Sequence, residues 1–79
     1  MTRAAKTLDA MRANPKDWRI EDIETVARAF GCNVRKSSGS HVYFTHPRSA
    51  VALSVPARRP IKPVYVRAFV ALIDAVRDA

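Results

Sequence analysis

Residues 31–55 read GCNVRKSSGSHVYFTHPRSAVALSV. Three short runs in this stretch alternate apolar and polar residues, and turn-forming residues separate them. Cys32–Lys36 puts Cys32 and Val34 on one face and Asn33 and Arg35 on the other. His41–His46 puts Val42 and Phe44 inside, with His41, Tyr43 and Thr45 outside; Val51–Val55 puts Val51, Leu53 and Val55 inside. A period of two is the pattern of a strand with one buried face. The connectors Ser37-Ser38-Gly39-Ser40 and Pro47-Arg48-Ser49 are too short for a crossover, so the three strands form an antiparallel meander.

Helical patterns flank this stretch on both sides. Upstream, Ile23, Val26, Ala27 and Phe30 fall on one helical face over Glu21–Phe30. Glu21, Asp22 and Glu24 crowd the first turn, where the dipole favours acids and where capping and solubility are their expected roles. Gly31 stands where a left-handed C-terminal cap belongs. An earlier helix spans Thr2–Ala13, with Thr2 as N-cap and Ala4, Leu8 and Met11 inward. Asn14-Pro15 stops it, because the residue before proline is pushed out of the α region. Trp18, in the connector that follows, is expected to pack back on the core. Downstream, Pro63 suits a first helical turn, and Val66, Phe69, Val70, Ile73 and Val76 form the buried stripe of a last helix. The order α-α-β-β-β-α, with helices on one face of a three-stranded antiparallel sheet, is a two-layer α+β fold. Phe44 then faces Val26 and Phe30 of the second helix.

With 79 residues the chain is expected to form a single domain. One cysteine, Cys32, provides neither an internal disulfide nor a metal site, and its inward position makes it a small buried hydrophobe. Met1–Ala13 carries no signal-peptide pattern, and no apolar run approaches about 18 residues. The expectation is a soluble, cytoplasmic protein with no membrane partner.

Charge narrows the function. The chain has 14 Lys and Arg against 7 Asp and Glu, a net of +7. The excess is local: Gly31 to Ile73 holds seven basic residues (Arg35, Lys36, Arg48, Arg58, Arg59, Lys62, Arg67) and no acid. A field of one sign attracts polyanions, nucleic acid first among them. No Gly-rich phosphate loop, C-x-x-C or metal-ligand spacing is present. The expected strands hold no carboxylate, which excludes paired carboxylates on the sheet.

That leaves histidine as the chemistry-bearing residue type. His41 opens the middle strand on the polar face, with Tyr43 and Thr45 beside it and Arg35 and Ser54 expected across the strands. Histidine titrates ordinarily nearest neutrality, so it suits proton abstraction from an RNA 2′-hydroxyl. On the residues alone, His41 reads either as such a base or as a surface histidine that contacts RNA or a partner. His46 has inward parity just before Pro47 and reads as a packing and turn residue.

Gly39-Ser40-His41-Val42-Tyr43-Phe44-Thr45-His46-Pro47, preceded by Gly31-Cys32, resembles the G-S-H-x-x-F/Y-x-H/K-P pattern of the HicA toxins. Val51–Val55 running into Pro56, and Lys62 before the last helix, are similar to that family's third strand and basic approach to its terminal helix. The resemblance covers about Ile20 to Val76. It implies a domain like those that bind double-stranded RNA, with residues 1–19 as an N-terminal helix and connector and 20–79 as the core. It further implies a toxin that cleaves mRNA without a metal or other cofactor, His41 as the catalytic residue, and a HicB-like antitoxin covering the His41 face. The RNA-binding candidates are Arg35, Lys36, Gly39, Ser40, Tyr43, Arg58, Arg59 and Lys62. One departure stands out: Pro56 is followed by Ala57-Arg58, where many members carry a second histidine two residues after that proline. Two other readings share the same residues, a non-catalytic module for double-stranded RNA and a protein-interaction domain for an acidic partner.

Overall fold

The computed structural model describes residues 2–37 and 39–78. Ser38, in the first expected turn, lies outside them. Six elements follow in the order α1 (Arg3–Ala13), α2 (Ile20–Ala29), β1 (Asn33–Lys36), β2 (His41–Thr45), β3 (Leu53–Pro56) and α3 (Pro63–Asp78). The sheet is antiparallel in the order β1-β2-β3. Val34 pairs with Phe44, and Phe44 pairs with Leu53. This is the two-layer α+β meander, with helices packed on one face of the sheet.

The core lies between the sheet and the helices. Phe44, Phe69, Leu8, Met11, Ile23, Ile61 and Ile73 are fully buried in it. The expected stripe of α3 is buried throughout. Along β2, Val42 and Phe44 are buried while His41, Tyr43 and Thr45 are exposed. Trp18 packs against the core as expected. Thr2 caps α1 by accepting from the amide of Ala5 at 3.1 Å; Ala5 rather than Ala4 joins Leu8 and Met11 on the buried face.

Several local expectations need correction. The third strand begins at Leu53, not Val51, and Val51 is 67% exposed. The hydroxyl of Ser49 accepts from the Val51 amide at 3.1 Å and donates to its carbonyl at 3.2 Å. Both groups are thereby taken from the ladder, a local competition typical of serine. Phe44 meets Phe69 of α3, with ring centroids 5.7 Å apart. Phe30, half-buried as the C-cap of α2, packs against the core and lies beneath the Arg77 guanidinium at 5.2 Å. Glu24 is not a solubility residue. It is buried and lies 3.4 Å from both Arg28 Nη2 and Lys36 Nζ. Asp22 does cap α2, accepting from the Arg19 amide at 3.0 Å.

Gly31 ends α2 with φ +84°, and a Cβ there would come within 3.4 Å of His46 Nε2. His46 is held at that point by two bonds. Its Nδ1 accepts from the Arg48 amide at 3.0 Å, so Nε2 carries the proton and donates to the Phe30 carbonyl at 3.0 Å. This side chain closes the end of β2 against the end of α2, the turn-and-packing role expected for it.

Candidate active site

His41 is exposed at the start of β2, beside the β1–β2 turn. Its carbonyl accepts from both the amide of Ser37, at 3.2 Å, and the Ser37 hydroxyl, at 3.1 Å. The same hydroxyl accepts from the Gly39 amide at 3.2 Å. On the other side the Ser40 carbonyl accepts from Ala57 at 2.6 Å, which ties the turn to the loop after β3. The backbone that carries His41 is therefore pinned on both flanks while its ring stays in solvent.

Across the sheet His41 faces Pro56, the last residue of β3. Arg35 and Ser54 lie across the strands on the same outward face, each paired directly with Tyr43.

The ring opens onto a cleft of about 770 Å³ between the β1–β2 turn, the loop after β3, the start of α3 and the N-terminal connector. Ser40, His41, Arg58, Arg59 and Lys62 all line it, as do Lys16, Asp17 and Tyr65. Ile61, fully buried, anchors the loop from beneath. Cations on two separate segments, Lys16 on the connector and Arg58, Arg59 and Lys62 on the loop before α3, thus converge on the cleft that His41 lines. Arg59 is partly committed, with Nη2 3.2 Å from Glu21 Oε1. Its own backbone amide, and then Arg59, hold the Glu21 carboxyl below the usual carboxylate range.

The remaining candidates separate from this cleft. Arg35 and Tyr43 lie together on the outward sheet face, with Asn33, Thr45 and Ala52, around a second depression of about 550 Å³. Lys36 turns to Glu24 on the helical side. Gly39 sits in the turn, where a Cβ would make only ordinary contact, 3.8 Å from Ser37 Oγ.

Lys16, Asp17 and Tyr65 were not legible as site residues. Tyr65 belongs to the first turns of α3, and Lys16-Asp17 is brought in by a contact between the connector and the loop before α3. Asp17 adds a carboxylate to the lining of the cleft from outside the sheet, whose strands carry none. Cys32 is buried, and that burial pushes its thiol up, away from nucleophilic use. Among the described residues no three of His, Cys, Asp and Glu converge as a metal-binding group. No described helix is long and apolar enough to cross a membrane.

No curated protein and no solved structure matches the chain. The family model described as the HicA toxin of bacterial toxin–antitoxin systems matches residues 20–75. That span holds the three strands, His41 and the cations Arg58, Arg59 and Lys62, and it leaves out α1, Lys16 and Asp17. The chain belongs to the HicA toxin family.

Proposed function

We propose that this toxin is an endoribonuclease that cuts mRNA at the His41 cleft and so blocks translation, and that a HicB-like antitoxin restrains it by covering that face. The observation that carries the reading is an exposed histidine, on a pinned backbone, opening onto a cleft lined by Arg58, Arg59 and Lys62.

In this reading the cleft cations hold RNA phosphates. Arginine adds two parallel donors to a phosphate, which fixes orientation as well as charge. Gly39 and Ser40 leave the approach to His41 free of bulk. The His41 imidazole takes the proton of a 2′-hydroxyl. The 2′-oxygen bonds to the adjacent phosphorus and the bond from phosphorus to the 5′-oxygen breaks. The leaving oxygen takes a proton from solvent, and Arg58 and Lys62 offset the charge that builds on the phosphoryl oxygens. The products are a 2′,3′-cyclic phosphate and a 5′-hydroxyl, and the step requires no metal. The Arg35–Tyr43 face of the sheet extends the surface along which RNA lies, with the Tyr43 ring available for base stacking.

The experiment is to incubate a defined RNA with the protein, with and without a chelator, and identify the new ends. Cyclic phosphate ends and chelator-resistant cleavage are expected. Cleavage that stops on chelation, or 3′-hydroxyl ends, would overturn the mechanism. Binding without any cleavage would favour a non-catalytic RNA-binding module.

A further inference from the structure

The connector between α1 and α2 lies outside the family-matched residues, yet it reaches the His41 cleft. One internal bond shapes it, and one bond to the loop before α3 holds it there. The Trp18 indole donates to the Asn14 carbonyl at 2.6 Å, and the Trp18 carbonyl accepts from the buried Ile61 at 2.9 Å. Asn14 also accepts, through Oδ1, from the Lys16 amide at 3.2 Å. Between these anchors Asp17 adopts φ +65°. Aspartate is one of the few residues other than glycine that visits this left-handed region readily. The turn so formed presents Lys16 and Asp17 to the cleft.

Asp17 differs from the other described acids. Asp9 and Asp74 pair with Arg12, Glu21 with Arg59 and Glu24 with Arg28 and Lys36, while Asp22 caps α2. Among the described side chains, Asp17 is the carboxylate with no hydrogen bond or ion pair, although it lines a cleft rich in cations. A free carboxylate there opposes phosphate binding in general. Its placement makes chemical sense if it accepts hydrogen bonds from something other than phosphate.

We propose that the Lys16–Asp17 turn is the base-selecting wall of the cleft, with the Asp17 carboxylate accepting from the N1–H and N2–H of a guanine beside the cut while Lys16 holds a neighbouring phosphate. The proposal rests on the RNA-cleaving reading above. An ionised carboxylate only accepts, and it can accept at both oxygens. Single-stranded RNA presents the pairing edges of its bases. Guanine offers two adjacent N–H donors on that edge. Adenine and cytosine each set an acceptor nitrogen beside their amine, and uracil flanks its N–H with carbonyls, so each opposes one carboxylate oxygen. A matched bidentate contact is worth about 5- to 100-fold in discrimination.

The test uses short uracil-rich RNAs with one guanine, or with inosine in its place, which lacks the N2 amine. Binding is measured to the His41→Ala protein alone and with Asp17→Asn or Lys16→Ala added. Asparagine tolerates the same backbone but replaces one acceptor with a donor. Inosine should weaken binding to His41→Ala at least about fivefold, and the guanine-to-inosine ratio should fall to near one with Asp17→Asn. Lys16→Ala should weaken both RNAs alike and leave the ratio unchanged. In parallel, cleavage of a randomised RNA by the parent protein should favour guanine at one position beside the cut, and Asp17→Asn should lose that preference. A ratio that is one from the start, or a guanine preference that survives Asp17→Asn, overturns the proposal. So does an Asp17→Asn protein altered only in its affinity for the antitoxin, which would make the turn a protein contact. A parent protein that cuts no RNA overturns the nuclease reading itself, while the inosine titration still judges the turn.

Discussion

The amide of Ile61 donates to the carbonyl of Trp18 across 2.9 Å, and this bond joins two segments far apart in sequence at the rim of the His41 cleft. Ile61 is fully buried, and the Trp18 indole folds back to bond Asn14. Trp18→Ala removes both the apolar contact and the indole bond. Because Trp18 is half-buried, the loss should fall below the about 3–5 kcal/mol of a fully buried aromatic. Urea denaturation should show a lower midpoint with a folded baseline retained, and RNA affinity should drop because Lys16 is no longer held at the cleft.

Phe44 has no such margin. It is fully buried and meets Phe69 at the centre of the two layers. Phe44→Ala should cost about 3–5 kcal/mol, enough to leave so small a domain largely unfolded at room temperature. A melting midpoint within a few degrees of the parent would contradict the packing described.

Arg12 of α1 donates to both oxygens of Asp74 of α3, the second bond measuring 2.8 Å. The Arg12 hydrogen bonds hold the Asp74 carboxyl below the usual carboxylate range. A carboxyl lowered on folding stabilises the fold above its unfolded pKa. That contribution is lost as pH falls through the lower, folded value. The pair is exposed, so its effect is small. Asp74→Asn should lower the melting midpoint slightly at neutral pH, and the difference from the parent should close as the solution is made strongly acidic. A constant difference across that range would contradict the assignment.

The fold was legible where one face of an element is buried. Val42 and Phe44 against Tyr43 and Thr45 mark β2 by alternation alone, and Ile23, Val26 and Ala27 mark α2 by helical spacing. Legibility failed where a local or distant polar contact decides. Val51 looks like a strand residue, but Ser49 captures its backbone. Glu24 looks like a surface acid, but Lys36 reaches it from β1. Within the candidate site, His41, Ser40, Arg58, Arg59 and Lys62 were readable from motif and charge. Asp17 was not, because its place depends on the Trp18–Ile61 bond and on a left-handed backbone that no periodicity announces.

The cleft cations make a separate prediction about salt. Each neutralised RNA phosphate releases counterions, so affinity should fall linearly in log salt with a slope of about −0.7 to −0.9 per contact. Arg58→Ala with Lys62→Ala should weaken binding to every RNA sequence and flatten that slope by roughly one to two units. Filter binding at several salt concentrations checks it, and an unchanged slope would remove these residues from the interface.

The single-turnover cleavage rate of the His41→Ala protein beside the parent, at saturating RNA, tests the proposed action of His41 on RNA. His41 is exposed, so the variant should keep the melting midpoint and the RNA affinity of the parent. Its cleavage rate should fall by at least about 10²-fold, the usual contribution of a positioned general base. Equal rates for the two proteins, with binding intact, would remove His41 from the mechanism.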